Sequence, residues 1–238
     1  MVGPFMLVFL SLIVLWRFFN LGAQFGRWNE TNYFIFVFIA YNIELLRKII
    51  NDFPTDFRQE KFWKTLPALM VAPFNKLHLL FGIVFSHLII IALPFVVFLI
   101  ISYLIYPISI LTLIFTIGIY ILIDIIFSGI GLFLGVFAIS EENYWRIFSV
   151  GFVIVFYVSC ITYPFEVFPD IIQGIILINP FYYIFDILRV IWIDDNIILS
   201  ISNYPIHFIV LIITSIIVPL ISIYNFKVVY NKFGIMGY

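Results

Sequence analysis

Chemistry needs polar side chains held close together, and this chain sets few of them where they could act. Asp124 stands inside the apolar run "ILIDIIFSGIGLF", and His87 inside "IVFSHLIIIALPF". An ionisable group in such a run is costly to bury and calls for a role. Asp124 reads either as a carboxyl lining a polar pathway or as a protonated or hydrogen-bonded structural group, and His87 reads in the same two ways. Counted inward from one membrane face at 1.5 Å per residue, His87 lies about 12 Å deep and Asp124 about 24 Å. That difference argues against a direct pair. Glu44 needs no such role, because Arg47 and Lys48 follow at i+3 and i+4. No Ser/His/Asp set, metal-ligand cluster or flavin motif is present, and no G-x-x-x-x-G-K-[ST] loop cradles a phosphate. Asp194 and Asp195 lack the second acidic motif that a prenyl-transferring membrane enzyme would need. The single cysteine, Cys160, excludes an internal disulfide and reads as a small apolar residue packed in a helix.

The densest polar punctuation lies in "FPDIIQGIILINPFYYIFDILR", Phe168 to Arg189. Its apolar pieces, Ile171 to Ile178 and Phe181 to Trp192, are each too short to cross about 30 Å of hydrocarbon. Pro169 and Pro180 each suit a first helical turn. Asn179, preceding a proline, is pushed away from helical geometry, so a break belongs there. Two short helices that dip into the membrane and return satisfy these constraints. Irregular backbone at that depth survives only against protein or water, so the segment is expected to cap a cavity. An interfacial loop anchored by Phe181, Tyr182 and Tyr183 is the plainer reading.

Elements able to position these groups must be membrane helices. The 238 residues are 64% hydrophobic and 11% charged, with mean hydropathy +1.18, whereas soluble domains carry roughly 25% charge. Long unbroken apolar runs exclude the alternating pattern of a membrane β-barrel. Six spans are expected: Val2 to Phe19 (retained rather than cleaved), Tyr33 to about Ile50, Leu79 to about Tyr103, a fourth from the "YPIS" turn at Tyr106 to Ser109 to near Ser140, Ile147 to about Tyr163, and Pro205 to Phe226. One side collects nine basic residues (Arg47, Lys48, Arg58, Lys61, Lys64, Lys76, Arg146, Lys227, Lys232) and the other three (Arg17, Arg27, Arg189). The positive-inside rule then puts both termini in the cytoplasm. Glu166, Asp170, Asp194 and Asp195 fall on the outer side, and His207 opens the last span with no assigned role. The expectation is an all-α integral membrane protein forming one domain over residues 1–238. Gly131 and Gly135 form a G-x-x-x-G, a weak signal for close helix approach.

The segment from Phe168 resembles the signature "lP…i…lNPlty…d.lR" of the ABC-2 family of membrane permeases. The residues in register are Pro169, Asn179, Pro180, Tyr182 or Tyr183, Asp186 and Arg189, with "YPFEVFP" similar to the lead-in. "EKFWKTLPALMVAPFNKLHLLFG", Glu60 to Gly82, resembles a second family pattern through Glu60, Lys61, Thr65, Leu66, Leu69, Val71, Pro73 and Gly82. Lys64 stands where that pattern has Gly, and Pro67 where it has Glu. "SGIGLFLGVFAISEEN" is a third, weaker match. The likeness covers about Phe57 to Arg189.

That resemblance implies the transmembrane subunit of an ATP-driven exporter of drugs, lipids or lipid-linked glycans. It implies re-entrant half-helices between spans five and six, forming an outer gate at Pro169, Asn179, Pro180, Tyr182, Asp186 and Arg189. It implies a cytoplasmic coupling helix between spans two and three, with Arg58, Glu60, Lys61, Thr65 and Leu66 meeting a separate ABC ATPase. From the residues alone, Phe57, Lys61 and Lys64 against Phe62, Leu66 and Leu69 give this loop an amphipathic helix with a charged edge. A basic interfacial helix held by anionic headgroups is the alternative. Asp124 and His87 remain candidates for the pathway. No metal or cofactor is expected on this chain; ATP and Mg would be used by the partner ATPase. Expected partners are that ATPase, a second copy or a related permease, and the bilayer, with no nucleic acid; the expected location is the cytoplasmic membrane of a prokaryote. Family members carry an amphipathic helix ahead of the first span, whereas Met1 nearly starts it here, which tilts the expectation towards drug or small-lipid substrates. A non-transport membrane scaffold is the competing reading, and it would copurify with no nucleotide-binding subunit.

Overall fold

A computed structural model describes residues 25–29, 32–64, 76–140 and 142–233, and Ile13, Trp16 and Arg17 besides. The described elements are helical: α1 Tyr33–Arg47, α2 Ile49–Phe62, α3 Lys76–Ile105, α4 Ile110–Ser140, α5 Glu142–Tyr157, a short 3-10 turn Phe165–Val167, α6 Asp170–Ile176, α7 Pro180–Asp194, α8 Ile197–Asn203 and α9 Pro205–Phe233. Among the described residues, three stretches are long and apolar enough to cross a membrane: Val84–Ile105, Ile110–Ala138 and Pro205–Val228. The pair α6 and α7, bent by 94° across its break, makes a fourth if counted as one span. The expectation of six spans is therefore met in part. Its first span falls outside the described residues apart from Ile13, Trp16 and Arg17. The second is realised as α1, whose 15 residues reach only about 22 Å. The fifth is realised as α5, apolar over Ile147–Tyr157.

Local chemistry explains where these helices begin. Asn29 and Asn32 accept each other's backbone N–H at 3.0 and 2.9 Å, and Asn32 Nδ2 donates to the Arg27 carbonyl at 2.8 Å, just ahead of α1. Ser109 starts α4: its Oγ accepts from the Thr112 N–H at 3.3 Å, as an N-cap should. The same turn is fixed from outside itself, with Trp192 Nε1 donating to Tyr106 O and Ser109 N to Asp195 Oδ1.

The chain divides into two compact units. The first comprises Met1–Leu45, Ala92–Ile121 and Ile154–Ile212. Its core joins Trp28, Tyr33, Phe36, Val37, Tyr41 and Leu45, with Phe95, Phe98 and Tyr163 against them. Helix α7 is buried from Phe181 to Trp192 with few interruptions, which marks an interior helix, not a surface one. Cys160, Ile176 and Tyr182 form a second apolar cluster here. Cys160 is buried, but not in a helix: it sits in the turn after α5 with φ 58. The turn at 158–160, with Cys160 in the left-handed region, ends α5 at Tyr157 before the expected span is complete.

The second unit comprises Leu46–Ile91, Leu122–Val153 and Ile213–Tyr238. In it α2 lays Ile49, Phe53 and Phe57 on the glycine face of α4. A Cβ on Gly131 would fall 2.9 Å from Ile49 O, and one on Gly135 2.5 Å from a Phe57 ring carbon. The G-x-x-x-G is thus a contact surface, filled by an aromatic stripe. Phe57 also meets the Phe226 ring, with centroids 6.3 Å apart. Gly129 lies similarly against α9, where a Cβ would come 3.1 Å from Pro219 N.

Candidate functional site

The break between α6 and α7 is built from its own residues. Pro169 is the N-cap of α6 with φ −60 and ψ 153, one position earlier than the first turn expected for it. Asn179 is extended, with φ −81 and ψ 115, as a residue before proline must be. Its Oδ1 accepts from the Phe181 N–H at 3.1 Å while its Nδ2 donates to Val155 O at 2.7 Å. Pro180 then opens α7, where its missing N–H costs nothing. Tyr183 closes the break by donating its hydroxyl to Leu177 O at 2.7 Å. Helix α6 leaves Ile171 and the break leaves Ile178 more than four-fifths exposed.

One turn into α7 the chain gathers charge. Asp186 is 4% exposed, and Arg27 Nη2 donates to its Oδ2 at 2.9 Å. His207 Nε2 lies 3.3 Å from that same oxygen. Arg27 also packs over the Tyr204 ring, 5.5 Å from its centroid. Burial pulls the Arg27 pKa down, but Asp186 first, then Tyr204, Tyr182 and Glu166, lift it above the ordinary arginine value. Glu166, in the 3-10 turn, has its carboxyl pushed up by burial. Arg189, one turn beyond Asp186, is 1% exposed. It donates Nη2 to Ile161 O at 2.9 Å and lies 3.8 Å over the Phe36 ring. It is an internal cation, so it should not have counted among the loop charges that orient the chain.

A second polar pair lies in the other unit. His87 Nδ1 and Asp124 Oδ1 are 3.0 Å apart, with both side chains buried. This corrects the expectation that their levels differ too much to meet. Depth was counted from two ends that need not be level, whereas α3 and α4 are tied by the four-residue turn at 106–109. From that turn His87 lies about eighteen residues back and Asp124 about fourteen on, a difference of only about 6 Å. His87 Nε2 and Asp124 Oδ2 remain buried without a hydrogen-bond partner.

The expected coupling residues are placed less fully. Arg58 is exposed on α2. Glu60 and Lys61 belong to the α2 backbone, while their side chains and the whole of Thr65 and Leu66 lie outside the described residues. The helix is shifted from the one expected, ending at Phe62 with Phe57 on its buried face. Phe62 and Trp63 are exposed. Lys64 adopts φ 59, the left-handed region, where the resembling pattern has glycine and glycine is unstrained.

The break after a buried core, the short α6 and the charged start of α7 occupy the positions where the resemblance placed a family signature. The profile described as ABC-2 type transporter matches residues 3–193. The chain belongs to the ABC-2 type transporter family. No curated protein gives a significant match to it. ABC-2 membrane proteins are transport components, generally partnered with an ABC ATPase. The match covers the bent pair and the buried Asp186 and Arg189 alike. Arg27 and His207, which complete the Asp186 cluster, were not picked out from the sequence. A trace of them was there: Arg27 follows a glycine in "FGRWN", and each residue carries a charge or potential charge beside an apolar span. Among the described residues, no group of three or more His, Cys, Asp or Glu could hold a metal ion.

Proposed function

We propose that this chain is the membrane-spanning permease subunit of an ABC exporter. It forms one ABC-2 type transmembrane domain over residues 1–238 with six spans and both termini in the cytoplasm. The observation that carries the reading is the family match over residues 3–193. The permease moves a hydrophobic or amphipathic molecule (a drug, a lipid or a lipid-linked glycan) outward, using ATP and Mg consumed by a separate ATPase. It works as a homodimer or beside a related permease in the cytoplasmic membrane of a prokaryote. Helix α2 and the residues after it, Arg58, Glu60, Lys61, Thr65 and Leu66, meet the ATPase. Support comes from the exposure of Arg58 at the end of a helix whose other face is locked to α4. The bent pair at Pro169, Asn179, Pro180, Tyr182, Asp186 and Arg189 gates the exit, and the 94° break supports a re-entrant path. The buried contact between His87 and Asp124 supports assigning both residues to the pathway. Differential contacts of the ATPase in its two nucleotide states bias the permease between two arrangements.

The test is copurification with an ABC ATPase, followed by hydrolysis measurements on the complex. Arg58→Ala or Glu60→Ala is expected to lower hydrolysis and transport together, at least about fivefold, with membrane insertion intact. Unchanged coupling in both variants, or no ATPase bound at all, overturns the reading in favour of a membrane scaffold.

A further inference from the structure

Two side chains reach for one oxygen in the Asp186 cluster. Arg27 Nη2 is 2.9 Å from Oδ2 and His207 Nε2 is 3.3 Å from the same atom. Although His207 is within ion-pair reach, neither of its ring nitrogens makes a hydrogen bond. Arg27 therefore holds the oxygen, and the imidazole waits beside it. The surroundings of His207 suit a positive charge. The rings of Tyr183 and Tyr204 stand 5.1 and 5.4 Å from it, within the roughly 6 Å over which a tyrosine ring can attract a cation.

The geometry points to a proton-operated latch, in which protonation of His207 displaces Arg27 from Asp186 and frees the Phe25–Trp28 turn from the broken helix pair. A single buried carboxylate balances one cation, and a second cation at the same oxygen is repelled. Arg27 is the one that can leave: its side chain is 27% exposed, against 11% for His207. Protonated His207 then keeps Asp186 paired, so no buried charge is stranded.

Releasing Arg27 has consequences because its turn is a strap. Phe25 and Trp28 close it with N–H to carbonyl bonds of 3.3 and 2.9 Å. Gly26 sits at its apex with φ 57, so close to Glu166 that a Cβ there would collide with the carboxylate. Trp28 is 2% exposed in the core of this unit. The other charged and titratable groups around Asp186 are Arg189 and Tyr182 on α7, Glu166 on the 3-10 turn, Cys160 in the turn after α5, and Tyr204 ahead of α9. Glu166 is a second group beside Arg27 that could take up a proton in acid, so it needs its own control.

Amide hydrogen exchange over residues 25–29, in nanodiscs at pH 7.5 and 5.5 and corrected for intrinsic rates, tests the latch. Wild type is expected to lose about tenfold protection at pH 5.5, reporting local opening of the turn. His207→Gln, which takes up no proton, is expected to stay protected at both values. Arg27→Gln is expected to be unprotected at both, and Glu166→Gln to respond like wild type. A flat wild type, a His207→Gln that still responds, an Arg27→Gln that stays protected, or a Glu166→Gln that no longer responds would each overturn the latch. Only the compartment that operates it rests on the outward orientation proposed above. In sealed proteoliposomes, acidifying the cytoplasmic-loop side alone should leave the turn protected; opening under that condition overturns the outward assignment of the switch, while loss of ATPase coupling leaves the exchange result untouched.

Discussion

Asp186 is the residue whose loss of partners should cost most. At neutral pH, removing Arg27 takes the nearest cation from a carboxylate that is 4% exposed, and breaking a buried pair by deleting one member costs about 3 kcal/mol or more. Arg27→Ala should therefore lower the thermal midpoint in detergent, and Arg27→Lys should recover part of it. For His87 and Asp124, a double-mutant cycle is the informative measurement. Each single alanine leaves its partner buried and alone, so the double variant should be less destabilised than the sum by about 1–3 kcal/mol. Additive losses would mean the pair at 3.0 Å carries no coupling. Glu166 has a folded pKa raised by burial. Its stabilising contribution is present below the ordinary glutamate value and is lost as pH rises through the raised one. The stability of wild type relative to Glu166→Gln should accordingly fall across that window; a rise would reverse the sign. At this scale the sequence was a partial guide. Asn179 and Pro180 were legible because cap and proline geometry are local. The Arg27–Asp186 pair spans 159 residues, and no spacing rule joins partners so far apart. His87 and Asp124 were identified one by one, but their meeting depends on the turn that ties their helices.

Helices inherit their limits from such residues. Gly131 and Gly135 read from sequence as a weak contact signal, and the structure sets α2 directly on them. Gly131→Ala pushes a methyl against the Ile49 carbonyl, which backbone cannot easily yield. It should destabilise by about 1–3 kcal/mol, and Gly135→Leu by more, read as lowered thermal midpoint and loss of monodisperse protein in detergent. Lys64→Gly should do the opposite. Its φ of 59 costs a lysine about 1 kcal/mol that glycine does not lose, so the variant should be as stable or slightly more so. The stripe that α2 buries was misread because Phe57 was grouped with lysines on a charged edge. Helical spacing alone cannot say which of two possible stripes faces protein when both contain aromatic residues.

For the whole molecule, membership of the ABC-2 type transporter family fixes the kind of machine, and composition had already required a membrane. Span count was the least legible feature. Apolar runs mark hydrocarbon contact, but α1 is too short to cross unaided and α6 with α7 bend back at 94°. Length and hydropathy do not distinguish a crossing from a return. The proposed relay, from a cytosolic engine at α2 to an outer lid at the break, requires these two places to lie on opposite faces of the membrane. Single cysteines at Gln59 and at Ile178, both exposed, can be probed with an impermeant maleimide in right-side-out vesicles, since the native Cys160 is buried. Ile178→Cys should react in intact vesicles and Gln59→Cys only after permeabilisation. Reaction of both from one side would contradict the relay.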